Sequence, residues 1–396
     1  MNVFEEFLSS SEVAVLFQAP HFLAAMLRFE AELARAQADL QIIPAPAASA
    51  IVAACDVAHY DCAAIVRESG LAGSIAIPLI KALRARVAAT NAAAAPYVHF
   101  GSTSQDVIDT ALVLSLHQVL VLVQRDLDLI VTALRQHALT HAATPVLART
   151  LMQPASVTSF GWKCINWLGP IHRSRAALQE LAPFALQLQL GGAVGTLREQ
   201  GPLGIALKRA LGAALGLSTE RSGLASWHTQ RDSLMRLACE LGILAGSLGK
   251  IGQDIALMAQ FEVGELAEPS AEGRGGSSAM PHKQNPVGAM VAIAAAQRVP
   301  QRVAAMLAAM PQAHERSLGA WQVELAEWPL LAGTVHAATG ALAAVLPGLQ
   351  VNPARMQANL DALRAVVGPE TAKQWFDPAF GVVQADAVLA QLERLI

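Results

Sequence analysis

The sequence predicts an all-α protein built around a bundle of long helices. The 396-residue chain has 54% hydrophobic and only 15% charged residues, against roughly 25% charged residues in average soluble chains. Helix-forming residues fill most of the chain, alternating strand patterns are few, and several long stretches lack proline and glycine. Weakly charged helices have to cover one another, so we expect much of the surface to be buried against other copies of the chain.

The spacing of apolar residues predicts the individual helices. A helix predicted over about residues 20–41 begins at Pro20 and presents one apolar face, and residues 106–141 are apolar nearly all round in their middle, which is typical of a helix at the centre of a bundle. Further long helices are predicted over residues 233–263, 287–309 and 320–345, the last with Pro329 as a candidate kink.

The chain is expected to form three domains. They are an amino-terminal helical domain (residues 1–104), a long-helix bundle (105–340) and a short helical cap (341–396). Three segments rich in Gly, Ser, Thr and Pro interrupt the helices at residues 99–109, 149–161 and 273–286. Because loops held by a rigid scaffold commonly carry chemistry, we expect the functional residues in these three loops.

Charge and composition exclude several functions. A net charge of −3 without a basic block disfavours a nucleic-acid partner. The mean hydropathy of +0.39 suggests a membrane protein, but the longest uncharged stretches contain histidine or proline, so no membrane span is predicted. The acidic start, with Glu5 and Glu6, is unlike a signal peptide. Four cysteines without metal-like spacing predict a cytoplasmic protein with no metal site.

The third loop has the residues of an anion site. Gly275 and Gly276 allow unusual backbone angles, and backbone N–H groups, Lys283 and Asn285 can all donate hydrogen bonds. A nearby cation and fixed N–H groups would favour the alkoxide of Ser277, which makes a serine base plausible without a catalytic triad. By composition alone, a flexible Gly/Ser linker is an equally open interpretation.

These residues also carry a family resemblance. The run G-S-S-A-M-P-H-K-Q-N-P at residues 276–286 resembles the fumarase/aspartase superfamily signature, G-S-S-x-M-P-x-K-x-N-P, at every fixed position. Residues 99–106 resemble the first conserved loop of that family, and residues 149–161 fall where the second is expected. The resemblance implies a homotetramer with active sites built from loops of three subunits. It also implies addition or elimination next to a carboxylate, with no metal and no cofactor.

Departures from the family pattern narrow the reaction. Family members that release amines, alcohols or water usually have a histidine after the threonine of the second loop, but here Thr150 is followed by Leu151. A carboxylate leaves as an anion at neutral pH and needs no such acid. The missing histidine therefore favours the cycloisomerase branch, in which a carboxylate of a small polycarboxylate substrate adds across its own double bond. Residues 191–197, 227–232 and 318–322 also resemble this branch of the family.

Two other functions stay open at this point. One is elimination of fumarate from a succinyl substrate such as adenylosuccinate, although an arginine expected beyond His314-Glu315-Arg316 to hold the nucleotide is replaced by Leu325. The other is a non-catalytic helical assembly protein, as some crystallins of the superfamily are. The complete set of Ser277, Lys283 and Asn285 argues against the second alternative.

The resemblance assigns the candidate site residues. Ser277, Lys283 and His99 are the expected catalytic groups. The expected substrate-binding residues are Ser102, Thr103, Ser104, Thr150, Gln153, His228, Gln230 and Asn285. Some have structural alternatives: helix capping for Thr103 and Ser104, and loop packing for Gln153.

Overall fold

Long helices make up most of the regular structure. A computed structural model describes residues 3–219, 226–270, 273–277, 279–280 and 282–395, without the side chains of residues 380–384. The amino-terminal helices are α1 (Ser11–Leu16), α2 (Ala19–Asp39), α3 (Ala45–Ala54), α4 (Cys62–Ala72) and α5 (Ala76–Thr90). The central helices are α6 (Ser104–Thr140), α7 (Phe160–Ala185), α8 (Gly204–Leu215), α9 (Asp232–Met258), α10 (Val287–Ala309) and α11 (Ala320–Val345). The carboxy-terminal helices are α12 (Pro353–Val367), α13 (Pro369–Trp375) and α14 (Ala379–Arg394).

The central helices pack directly on one another, α9 on α10, α10 on α11, and α7 on both α6 and α9. Helix α6 begins after its N-cap residue Thr103, whose backbone N–H donates to the Asp106 side chain at 3.0 Å, as in one half of a capping box. Its residues are buried almost without interruption from Gln105 to Leu116. The all-α architecture and the central position of this helix are therefore confirmed.

Two of these helices have the length and composition of membrane spans. They are Ser104–Thr140 and the helical stretch Ala320–Gly348, and 78% and 67% of their most apolar windows are buried inside the protein. The apolar side chains are thus used for packing within the chain, as expected for core helices of a bundle.

The predicted helix bounds agree with the structure at most ends. Helix α10 begins and ends at the predicted residues, and α11 continues through Pro329. The helix predicted over residues 233–263 ends earlier, at Met258. A turn follows, with Gly264 at a φ of 60°, and the Val263 carbonyl accepts hydrogen bonds from Arg355 and Asn359 of α12.

The second predicted loop is a β-hairpin, so its assignment as an irregular loop was wrong. Strands β1 (Pro145–Thr150) and β2 (Gln153–Ser159) pair antiparallel, and Thr150 faces Gln153 across the turn. Leu151 and Met152 form the turn with φ values of 49° and 65°. The prediction failed because neither residue is typical of such a turn, which normally has Asn or Gly where φ is positive.

The carboxy-terminal segment is helical, as predicted, and packs on the hairpin. Leu147 and Val157 of the hairpin form a small apolar cluster with Leu360 and Phe376. Strands β3 (Leu266–Ala267) and β4 (Gln350–Val351) pair with each other and attach this segment to the end of α9. The domain boundaries at residues 104 and 340 stay a prediction.

Candidate active site

The first group of predicted site residues surrounds the carboxylate of Asp106, which is fully buried. One carboxylate oxygen lies 2.9 Å from the Gly191 nitrogen and 2.7 Å from Nε2 of His228. The other accepts from the Gly192 nitrogen at 2.9 Å and from the Thr103 nitrogen at 3.0 Å. These five residues are called the Asp106 cluster below. A buried carboxylate with this many donors holds three separate chain segments in one arrangement.

Side chains around the Asp106 cluster complete its hydrogen bonds. Ser102 donates from its hydroxyl to Asp106 at 3.4 Å, and the Gln105 amide donates to the carbonyl of His228 at 3.0 Å. His228 is 1% exposed, and among the described residues its Nδ1 atom has no hydrogen-bond partner. The ring is therefore oriented through Nε2 and leaves Nδ1 uncommitted.

A close side-chain contact and a positive φ explain a glycine in the first loop. Gly101 has a φ of 67°, and a Cβ atom there would lie 1.9 Å from the amide nitrogen of Gln200. That amide donates to the Phe100 carbonyl at 3.0 Å, and the Gln37 amide donates to the same oxygen at 2.8 Å. The loop preceding α6 is thus held rigidly by residues distant in sequence.

His99 is paired with a buried acid on α2. Its Nδ1 atom lies 2.6 Å from Oε1 of Glu30, whose side chain is fully buried. Burial lowers the pKa of His99, but the charge and hydrogen bond of Glu30 outweigh burial and raise this pKa above its ordinary value. The His99 side chain retains 13% exposure, so its ring can still be reached.

Thr103 and Ser104 combine a structural role with a position at the predicted site. Thr103 is the N-cap of α6, as the capping alternative predicts, and its hydroxyl accepts a hydrogen bond from Nη1 of Arg316. Ser104 is the first residue of the helix and is half-buried. Gln230 is exposed, and its amide donates to the Ser226 carbonyl at 3.2 Å.

A buried ionic network centred on Arg231, called the Arg231 network below, lies next to the Asp106 cluster. The Arg231 guanidinium contacts Asp109 at 2.8 Å and Glu324 at 2.7 Å, and all three side chains are fully buried. Trp321 donates from its indole N–H to Asp109 at 2.9 Å. Burial alone would lower the pKa of Arg231, but the two carboxylates raise it. The network joins the start of α9 to α6 and α11.

The second group of predicted site residues lies in the third predicted loop, residues 273–286, which is called the signature loop below. Ser277 is half-buried, and its hydroxyl accepts from the Met280 nitrogen at 3.2 Å. The Asn285 nitrogen donates to the Gly275 carbonyl at 2.7 Å, which closes the loop. Lys283 is exposed, and within the described part of the chain its ammonium forms no ion pair. The motif residues Ser278 and Pro281 lie outside the described residues.

The hairpin contributes the other members of the second group. Thr150 and Gln153 are exposed at its tip, next to Leu151, which is 97% exposed. Arg149 makes two hydrogen bonds to Glu265, at 2.7 and 2.9 Å. Three residues further on, Glu268 accepts from the Gly288 and Ala289 nitrogens at the start of α10. The hairpin and the signature loop are thus attached to the same short segment.

The two groups lie at opposite ends of the bundle within one chain. Trp321 near the start of α11 contacts Asp109, beside the first group. A Cβ atom on Gly288, next to the signature loop, would lie 2.4 Å from Val345 at the other end of α11. The intervening helix has a length of roughly 36 Å at about 1.5 Å per residue. Within one chain, Ser277 and His99 are therefore too far apart to act on the same substrate.

Several residues at the site have no role in the sequence-based prediction. Asp106 is in the first-loop motif, and the Thr-x-x-Asp spacing of a capping box is a sequence signal for its contact with Thr103. Arg316 belongs to the His-Glu-Arg run, but the sequence assigns it no place at the site. No sequence pattern indicates the partners of Arg231, because Asp109 and Glu324 are about a hundred residues away on either side. Among the described residues, no group of His, Cys, Asp or Glu could hold a metal ion.

The fold and the signature loop define a lyase. A family model described as lyase matches residues 12–300, and the chain belongs to this family. The membership agrees with the superfamily that the signature loop predicts.

Particular relatives carry a more specific name. A 3-carboxy-cis,cis-muconate cycloisomerase of Pseudomonas aeruginosa is 44% identical over 92% of this chain and 79% of its own length. An enzyme of the same name from Pseudomonas putida is 42% identical over 98% of this chain and 92% of its own length. The crystal structure of 3-carboxy-cis,cis-muconate lactonizing enzyme from Pseudomonas putida superimposes with a TM-score of 0.89, at 37% identity and 99% coverage of both chains.

Proposed function

We propose that this protein is an intramolecular lyase that interconverts 3-carboxy-cis,cis-muconate and 4-carboxymuconolactone in the breakdown of protocatechuate. The observation that carries the proposal is the similarity to enzymes of this name over nearly the whole chain, in sequence and in fold. The intact signature loop, with Ser277, Lys283 and Asn285, supplies the chemical groups.

In the forward reaction a substrate carboxylate oxygen forms a bond to one carbon of a double bond. The electron pair of that double bond moves to the neighbouring carbon and into its carboxylate, which becomes an enolate-like dianion. Lys283, Asn285 and loop N–H groups stabilise this charge. The Ser277 hydroxyl then delivers a proton to the carbon and is itself reprotonated from solvent. No bond to nitrogen or to water is broken, so Leu151 takes the place of the usual acid without loss.

The complete site requires more than one copy of the chain. The Asp106 cluster and the signature loop are at opposite ends of α11, so their joint action on one substrate needs loops from neighbouring subunits. A homotetramer with shared sites meets this requirement. We also propose that the protein is located in the cytoplasm. Thr103, Ser104 and Arg316 of one subunit would hold the carboxylates of a substrate that the Ser277 of another subunit protonates.

Turnover of the substrate tests the proposal directly. Purified protein is incubated with 3-carboxy-cis,cis-muconate in deuterated water, and the ultraviolet band of the conjugated diene is followed while proton NMR identifies the product. We expect loss of the band and one deuterium in the lactone, at the carbon that accepts the solvent-derived proton. Production of fumarate from adenylosuccinate, with the muconate unchanged, would overturn the proposal in favour of an elimination.

Substitution of the serine tests the mechanism. Removing this kind of transition-state contact typically costs about 10²–10³-fold in rate, so Ser277→Ala is expected to lose at least that factor in kcat while it stays folded. His282→Ala, in the same loop and exposed, is the control and should keep most of its activity. Normal turnover by Ser277→Ala would show that another group delivers the proton.

A further inference from the structure

A cavity of about 640 Å³ lies beside the first loop. His99 and Ser104, both predicted site residues, line one side of it. The opposite wall comes mainly from α5, a helix that has no part in the mechanism described above. Because the cavity is continuous with the candidate active site, a substrate held by His99 and Ser104 also faces α5.

Two cations on α5 line this cavity. Lys81 and Arg84 are three residues apart, which places them on the same side of the helix. One guanidinium nitrogen of Arg84 donates to the Val98 carbonyl at 3.3 Å, so the side chain is held next to His99. In the described part of the chain, neither cation forms an ion pair with a carboxylate. Their charge is therefore available to a ligand.

The rest of the wall is apolar. Ile77, Ile80 and several alanines of α5 lie between and around the two cations. A surface with two cations and apolar side chains suits a hydrocarbon chain that carries carboxylates. It is a poor match for a neutral sugar or a purine, because the side chains of this wall offer no hydrogen-bond acceptor.

The proposed substrate has one more carboxylate than the chemistry uses. One carboxylate attacks the double bond, and a second takes up the developing charge beside Lys283 and Asn285. A third is left, and a dicarboxylate such as fumarate has no equivalent. We infer that Lys81 and Arg84 bind this third carboxylate and make the site select tricarboxylates over dicarboxylates. The inference rests on the proposed function, because the third carboxylate belongs to the proposed substrate, while the cavity supplies the two cations and the apolar wall.

Binding of two inert probes tests the inference without turnover. The affinity of the whole protein for tricarballylate, which has three carboxylates, and for glutarate, which has two, is measured by calorimetry. Hydrogen bonds to charged groups contribute about 1.5–3 kcal/mol each, or roughly 10–100-fold in affinity. Lys81→Gln is expected to weaken tricarballylate binding by about this factor and to leave glutarate binding unchanged.

Matched variants separate a local contact from a general change in charge. Arg86→Gln removes an exposed cation of the same helix that does not line the cavity, and it should leave both affinities unchanged. Arg84→Gln should act as Lys81→Gln does. An equal loss in Arg86→Gln, no loss in Lys81→Gln, or no preference for tricarballylate in the unsubstituted protein would each overturn the inference.

Failure of the inference and failure of the proposed reaction can be distinguished. If the protein binds tricarballylate through Lys81 but does not convert 3-carboxymuconate, the reaction is wrong and the tricarboxylate site stands. If it converts 3-carboxymuconate at the same kcat/KM with and without Lys81, the reaction stands and the assignment of this residue is wrong.

Discussion

The two ends of the helix bundle hold their predicted site residues in different ways. At one end, Asp106 is fully buried and its two oxygens form hydrogen bonds with five other residues. At the other end, Ser277 is half-buried, and Lys283 and the hairpin tip are exposed. The first end is complete within one chain, whereas the second presents its chemical groups outwards. This difference fits the proposed sharing of the site between subunits, in which the rigid half of one subunit would receive the reactive half of a neighbour.

The comparison predicts that substitutions at the first end lower both stability and activity, whereas substitutions at the second end lower activity alone. The largest effect is expected in the Arg231 network. Removing one partner of a buried ionic network strands the others without a counter-charge, which costs about 3–5 kcal/mol. Arg231→Gln should lose that much free energy of unfolding in urea denaturation, and activity with it.

A nearby exposed arginine provides the control for this variant. Arg236 pairs with Asp232 at 3.8 Å with both side chains more than half exposed, and such pairs contribute little. Arg236→Gln should therefore change the free energy of unfolding by less than about 0.5 kcal/mol. Similar losses in the two variants would mean that the buried network has no special part in holding α9 to α6 and α11.

Substitution of Asp106 should have the next largest effect. Asparagine has the same shape but only one acceptor oxygen, so about half of the donors in the Asp106 cluster would face an amide nitrogen. Leaving buried donors unsatisfied costs about 1–3 kcal/mol each, and Asp106→Asn is expected to lose about 2–4 kcal/mol and most of kcat. Full activity in a destabilised Asp106→Asn variant would contradict the close link between rigidity and function at this end.

The pair of Glu30 and His99 predicts a pH dependence at the first end. The folded-state pKa of His99 is raised. The stabilisation that this pair gives to the folded protein is therefore fully present below the unfolded-state pKa of about 6.5, and it is lost as pH rises through the higher folded-state pKa. Urea denaturation of the parent protein and of Glu30→Gln should therefore differ most at mildly acidic pH. A difference that grows with rising pH would show that the pair is not stabilised by charge.

The smallest effect on stability is expected in the signature loop. Ser277→Ala removes acceptor contacts to two backbone nitrogens within an exposed turn, so the free energy of unfolding should change by less than about 0.5 kcal/mol while kcat collapses. A large loss of stability would indicate that the loop is already packed in the single chain, and the contrast between the two ends would disappear.

Local patterns in the sequence were sufficient for the long helices and for the positions of the segments between them. Apolar periodicity predicts helices α2, α6, α10 and α11 nearly to the residue because that periodicity reflects the geometry of the helix itself. The signature loop and the first loop were found because their residues are contiguous. The hairpin at residues 145–159 was missed, since the turn at Leu151 and Met152 lacks the residues that usually mark one.

What the sequence alone determined is therefore the class of helical protein, the position of its loops and the chemical groups that they carry. Only the tertiary structure decided which of these groups meet. Asp106 contacts residues 85 and 122 positions away, Gly191 and His228, and Lys81 shares a cavity with His99. The physical reason is that helix formation depends on neighbours three and four residues apart, whereas such contacts depend on how whole helices pack.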